Sequence, residues 1–237
     1  MNSEPPFKLI ALVGGSGSGK SWLANRLGEE YGGDATSLCL DNFYHDLAHL
    51  ALPEREKINF DHPDAIDWPL FKSTLQDLQN GMMVFAPRYD FVSHARFAGR
   101  QPRCPRPFIL VEGLWLLWPP DVRALFDLRV FLDCPEPLRW QRRLARDVNE
   151  RGRTENSIRE QFWNVVAPMN ERFVEVQKPW ADLVIEQPIS QTNLVRLTNA
   201  ISALRTVNGP TAWEISRARA ITPEVATLHS GGTFYEH

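Results

Sequence analysis

Cysteine is scarce. The 237 residues hold three, Cys39, Cys104 and Cys134, an odd number with no close pair. That excludes a disulfide framework and a paired-cysteine zinc site, and it fits a reduced, cytoplasmic setting. Long apolar runs are missing too. No stretch approaches the roughly 20 residues needed to cross a bilayer, so no membrane partner is expected. Met1 to Pro6 is short and polar and lacks the charged-then-apolar pattern of a secretory leader. There is no basic excess. The formal charge is −3, whereas a general nucleic-acid binder needs a positive field to meet phosphates, so nucleic acid is not expected as a partner. Internal repeats and low-complexity tracts are also absent.

What is present reads as an ordinary globular chain, with 43% apolar and 23% charged residues. Short apolar runs, read as buried strands, occupy 8–13, 35–40, 108–111, 128–132 and 183–185. Helix-like stretches lie between and after them at 21–31, 68–79, 121–126, 136–149, 155–167 and 191–205. Buried strands alternating with helices imply a mostly parallel five-stranded sheet covered on both faces, an α/β fold. Ligands of such sheets gather beyond the carboxyl ends of the strands. Four of the five runs end in a glycine-rich loop or an acid, the pattern an active site at one sheet edge would leave. Residues 81–101, with aromatics at near-alternate spacing, read as an inserted β-hairpin flap. The catalytic unit is expected over 1–207, and 208–237 reads as a polar, partly disordered tail.

Gly14-Gly15-Ser16-Gly17-Ser18-Gly19-Lys20-Ser21 matches G-x-x-x-x-G-K-[ST] in full. Glycines let the backbone wrap so that its N–H groups face phosphate oxygens, and the following helix adds a positive N-terminus. Lys20 can bridge the β- and γ-phosphates, and Ser21 can give a hydroxyl to magnesium. The motif follows an apolar run and precedes a helix-like stretch, the context of a P-loop NTPase fold. By itself it indicates nucleoside triphosphate binding and does not separate a kinase from a GTPase or a motor.

Further signals favour phosphoryl transfer. Asp41 ends the second run, where a carboxylate can orient an attacking hydroxyl and take its proton; an aspartate there also suits a helix N-cap. Glu112 ends the third run, where an acid reaches the metal or simply precedes a turn. Arg139, Arg142, Arg143 and Arg146 fall at i, i+3, i+4 and i+7 and share one helix face. Trp140, Leu144 and Val148 lie on another face, suited to packing. Arg151 and Arg153 flank Gly152, a hinge candidate. Arginine suits polydentate phosphate contacts, so 136–153 reads as an arginine-rich lid helix over a triphosphate rather than a solvated stripe.

Together these segments resemble the uridine kinase (uridine–cytidine kinase) family, within the P-loop kinase group that includes phosphoribulokinase. The resemblance covers about residues 7–187. It rests on GGSGSGKS at 14–21, DNFY at 41–44, INFDHPDAID at 58–67 and PRYDFVSHAR at 87–96. It continues through VEG at 111–113, RRLARDVNERGR at 142–153 and VVAPMNERFVEVQKPWADLVI at 165–185. It implies a homo-oligomeric enzyme that uses ATP and Mg2+ to phosphorylate the 5′-hydroxyl of uridine or cytidine in pyrimidine salvage. Asp41 then accepts the 5′-hydroxyl proton, Tyr44 and Phe60 line the nucleoside pocket, and Asp61 holds the ribose hydroxyls. Tyr89 and His94 read the pyrimidine edge beside Phe91, while Arg153 and Gln161 make further nucleoside contacts. Lys20, Arg143 and Arg146 meet the phosphates, and Ser21 and Glu112 form the magnesium environment.

Four departures stand out: Trp22 after Ser21, Glu186-Gln187-Pro188 after the last strand, the proline-rich 102–107, and the tail. Two other readings stay open. One is a kinase of the same family acting on another small alcohol, such as a sugar phosphate or pantothenate, an option that Arg88 and Arg96 in the flap support. The other is a non-catalytic nucleotide sensor, which predicts loss of the acids or lid arginines that this chain retains.

Overall fold

Strand β1 (Lys8–Val13) is buried at every position, because its alternate side chains enter different cores. Leu9, Ala11 and Val13 join one apolar cluster and Ile10 and Leu12 the other. A strand covered on both faces needs no polar positions, which is why this run reads as continuously apolar. The computed structural model describes residues 7–55 and 57–205, so the expected tail at 208–237 lies outside the described residues.

The remaining elements follow in chain order. Helix α1 (Lys20–Tyr31) leads to β2 (Ala35–Cys39), the short α2 (Leu52–Arg55) and α3 (Trp68–Gln79). Strands β3 (Val84–Ala86), β4 (Tyr89–Asp90), β5 (Ala95–Arg96) and β6 (Gln101–Arg103) precede β7 (Phe108–Gly113). Then come α4 (Pro120–Arg123), β8 (Leu128–Asp133), α5 (Glu136–Asn149), α6 (Glu155–Gln161), α7 (Ala167–Met169), β9 (Leu183–Glu186) and α8 (Gln191–Ala203). The main sheet has the order β2-β7-β1-β8-β9, and every pairing in it is parallel. Residues of α1 and α8 pack into one cluster and residues of α3 into the other. Because the strands are parallel, Gly14, Asp41, Glu112, Asp133 and Glu186 all emerge near one edge. Among the described residues no helix is long and apolar enough to cross a membrane.

The flap is a hairpin in two short ladders, β3 with β6 and β4 with β5. It runs to Arg103, two residues beyond the expected end at 101. Pro102 lies opposite Phe85 inside β6; a two-stranded ribbon leaves one edge of each strand free, where a missing N–H costs nothing. The prolines that follow carry the chain into β7, where Pro107 O accepts from Lys8 N.

Helices at 68–79 and 136–149 stand as the periodicity implies. The stretch at 155–167 stays a regular α-helix only to Gln161, then passes through π-helical turns at Phe162–Val166 and Asn170–Val174. Each adds a residue per turn and rotates the following side chains, a device common beside functional sites. The packing face of α5 is the largest departure from expectation. Arg139, Arg143 and Asp147 are buried, while Val148 is 42% exposed and Leu144 only half-buried. The arginine face turns inward because it finds acceptors there: Arg139 Nε donates to Cys134 O, and Arg143 Nη1 to Ser16 Oγ at 2.8 Å. Trp140 is held from outside by Phe162 and Trp163, ring centroids 5.2 and 6.1 Å away.

Candidate active site

Residues 14–19 join β1 to α1 as a tight loop. Gly17 and Gly19 have φ of +80° and +95°, which side-chain-bearing residues avoid. At Gly17 a Cβ would also stand 2.4 Å from the carbonyl oxygen of Arg139. Loop and lid helix therefore meet backbone to backbone, and only glycine fits. Lys20 Nζ donates to Gly15 O at 3.0 Å from a buried position. Burial lowers the Lys20 pKa, while Glu112 and Asp41 act to raise it.

Ser21 Oγ donates to Glu112 Oε1 at 2.9 Å. The hydroxyl on α1 and the acid ending β7 thus adjoin. Asp41 lies inside a 3-10 turn, Leu40–Phe43, whose N-cap is Cys39, so capping is not its role. Its pKa is raised to about 6, first by burial and then by the Glu112 carboxylate, against the pull of Lys20, Arg146 and Arg151.

Of these groups Asp41 alone lines a cleft of about 850 Å³; Lys20 and Ser21 do not form part of its wall. Asp41, Tyr44, Phe60, Asp61, Tyr89, Phe91, His94, Arg143, Arg146, Arg153 and Gln161 all line it, with Ser16 of the loop. Glu112 is buried beneath rather than in the wall. One wall is aromatic. Tyr44 meets Phe60 edge-on at 5.5 Å and Tyr89 at 5.1 Å, and Phe91 meets Tyr89 at 5.4 Å. His94 stacks on Phe60 at 4.7 Å with planes 11° apart. Its backbone has φ +51°, a conformation in which a non-glycine residue is uncommon. The Tyr89 hydroxyl is buried with no hydrogen-bond partner among the described residues. Opposite, burial raises the Asp61 pKa, countered by Arg143, Arg151 and Arg153.

Three features of the site were not legible beforehand. Asp147 is fully buried among the arginines at 143, 146, 151 and 153. Arg151 lines the cleft beside the arginines that were selected. Arg55 donates to Leu50 O, Ser93 O and Ala48 O and so ties the flap tip to the 48–55 segment. Asp147 had a faint signal, its place four residues after Arg143 on one helix. Arg55 had none, because its three acceptors are backbone carbonyls. The flap arginines that suggested a sugar phosphate are otherwise engaged. Arg96 donates to Tyr44 O at 2.8 Å and Asp67 Oδ2 at 3.1 Å, and Arg88 lies over the Phe97 ring. On the far side of the loop, Arg142 Nη1 lies 3.3 Å from Ser18 O and 3.4 Å from Gln187 Oε1, and Trp22 is 56% exposed.

A phosphate loop on the first strand, acids at the ends of its neighbours and arginines lining the cleft are parts that a P-loop phosphotransferase uses. The model of the phosphoribulokinase / uridine kinase family matches residues 9–194, and the chain belongs to that family. A uridine kinase of Clostridium perfringens is 37% identical over 201 residues, which are 84% of this chain and 96% of that protein. One from Staphylococcus carnosus is 41% identical over 180 residues, 76% of this chain and 86% of the relative. Among solved structures, a candidate fructose transport system kinase from Silicibacter sp. TM1040 superposes with a TM-score of 0.64 at 26% identity. That superposition covers 78% of this chain and 92% of the other.

Proposed function

We propose that this enzyme transfers the γ-phosphoryl group of ATP to the 5′-hydroxyl of uridine or cytidine, giving UMP or CMP and ADP. The observation that carries the reading is the single cleft in which Asp41, Asp61 and the aromatic wall stand together beside the phosphate loop. It agrees with the uridine kinase relatives at 37% and 41% identity. Asp41 orients the 5′-hydroxyl and takes its proton as the new P–O bond forms. Asp61 accepts hydrogen bonds from the vicinal ribose hydroxyls. Phe60, Tyr44 and Phe91 give the flat base an apolar slot, and Tyr89 and His94 face its polar edge. Arg153 and Gln161 close the nucleoside end.

At the phosphate end the residues fit an anion with a cation. Lys20, Arg143 and Arg146 supply positive charge where it develops on the transferring group. Magnesium binds nucleotide phosphates with one or two protein oxygens and keeps several waters, so the adjoining Ser21 hydroxyl and Glu112 suit it. When bound, the metal neutralises charge on the β- and γ-phosphates. The setting that accompanies this reading is a cytoplasmic homo-oligomer, and light scattering of the purified protein tests the assembly.

The first experiment is ADP release with magnesium-ATP across uridine, cytidine, deoxyuridine, adenosine, pantothenate and ribulose 5-phosphate. Turnover confined to uridine and cytidine is the expected result. Turnover on a non-nucleoside alone would keep the fold and Asp41 but overturn the roles given to Tyr89, His94 and Asp61. The base-reading role has its own check. His94→Gln should shift the uridine-to-cytidine ratio of kcat/KM by roughly tenfold, the scale on which a pocket contact discriminates. Equal loss on both nucleosides would assign His94 to the shape of the flap instead.

A further inference from the structure

Asp147 does not line the cleft, yet each of its oxygens faces part of the lid. Oδ1 lies 2.8 Å from Arg146 Nε and 3.4 Å from Arg151 Nη1. Oδ2 lies 3.5 Å from Arg143 Nε and 3.7 Å from Arg153 Nη1. Together the four arginines reach both acids of the cleft. Arg146 and Arg151 act electrostatically on Asp41. Arg143 and Arg153 act on Asp61, with Arg151 reaching both acids. Arg143 and Arg153 also converge on Gln161 Oε1, and Arg143 touches Ser16 of the phosphate loop.

Stability alone is a poor reason for this arrangement. A buried ion cluster costs desolvation, and well-packed apolar residues of similar volume commonly serve the fold as well or better. Four guanidinium groups around one carboxylate also leave surplus positive charge, which suits an incoming triphosphate and not an empty site. Long arginine side chains have many rotamers, and a shared buried carboxylate restricts those that gather on it.

We infer that Asp147 is a positioning residue: its carboxylate holds Arg143, Arg146, Arg151 and Arg153 in register along the cleft. It does so without touching either substrate. The inference rests on the reading of the cleft as a nucleoside phosphorylation site.

A double-mutant cycle tests it. Asp147→Asn removes the charge at nearly constant shape, and Arg146→Ala removes one arginine that the carboxylate holds. Asp147→Asn alone should lower kcat at least about tenfold with a smaller change in nucleoside KM. In the Arg146→Ala background the same change should cost at least about threefold less than in wild type, because one of the arginines the carboxylate holds is already gone. Losses that multiply, or a single variant within about twofold of wild type, would overturn the inference. Thermal unfolding of each variant separates positioning from collapse. Should Asp147→Asn fail to fold, Asp147→Glu keeps the charge but moves the carboxylate by one methylene. A positioning role then predicts a fall in kcat in a folded protein, and unchanged kcat refutes it. Wild-type failure on uridine and cytidine would instead strike the functional reading. The cycle read on magnesium-ATP affinity by calorimetry then still decides: non-additive effects support the inference and additive ones overturn it.

Discussion

Asp41→Asn should lower kcat by about 10²–10⁴, the range set by a positioned general base, while leaving magnesium-ATP affinity nearly unchanged. The argument is geometric first. Asp41 emerges from the β2 edge into the same cleft as Ser16 and Asp61, so it can meet a hydroxyl aimed at the phosphate loop. Its electrostatics set the second half of the prediction. Burial and the Glu112 carboxylate push the Asp41 pKa up to about 6, above the usual aspartate range. The ionised form is the base, so wild-type kcat/KM should be flat above pH about 6 and fall towards tenfold per pH unit below it. The asparagine variant should lose that limb along with its activity. Stability should move the other way. A carboxyl whose folded pKa is raised binds its proton more tightly folded than unfolded, so it favours the fold at low pH. That contribution is lost as pH rises from about 4 to about 6. At neutral pH the ionised Asp41 is a burden, and Asp41→Asn should melt no lower than wild type. A variant with wild-type turnover and an intact acid limb would remove Asp41 from the chemistry.

Asp61→Ala should raise the nucleoside KM by roughly tenfold or more and collapse the preference for ribose over deoxyribose. The physical reason is asymmetric. A buried acceptor left without its hydroxyl partner is costly, so a site built around one rejects the deoxy substrate strongly. Asp61 is half-buried, and its partial desolvation raises its pKa. The arginines at 143, 151 and 153 lower it again, so the carboxylate has cationic neighbours before substrate arrives. With the acceptor removed, uridine loses its advantage and deoxyuridine loses little. Measuring kcat/KM for both nucleosides in both proteins checks this, and an unchanged ratio would mean that other residues hold the ribose.

Much of this was legible in the linear chain, for identifiable reasons. The β1 run reads as a buried strand because every one of its residues is buried. The loop at 14–21 is legible because its glycines answer local demands, a positive φ at Gly17 and Gly19 and the approach of the Arg139 backbone. The residues named for the nucleoside came from family resemblance, and no periodicity links Tyr44, Asp61, Tyr89 and Gln161. Their meeting in one cleft depends on a flap and a lid that converge from opposite sides. The misreading of α5 is instructive. Hydrophobic periodicity assigns packing to Trp140, Leu144 and Val148, whereas Arg139 and Arg143 are the buried residues because a carbonyl, a hydroxyl and a carboxylate wait there.

By itself the sequence determined the local chemistry: a phosphate loop between a strand and a helix, acids at the strand ends, and arginines on one helical face. These are properties of spacing, and spacing is carried along the chain. Only the tertiary structure decided which arginines are free and which are spent. Arg96 is bound to Asp67 and a backbone carbonyl, while Arg143, Arg146, Arg151 and Arg153 are gathered on Asp147 at the cleft. A guanidinium has the same charge in either place. What differs is the acceptor that packing brings to it, and that acceptor can lie 29 residues away or 4.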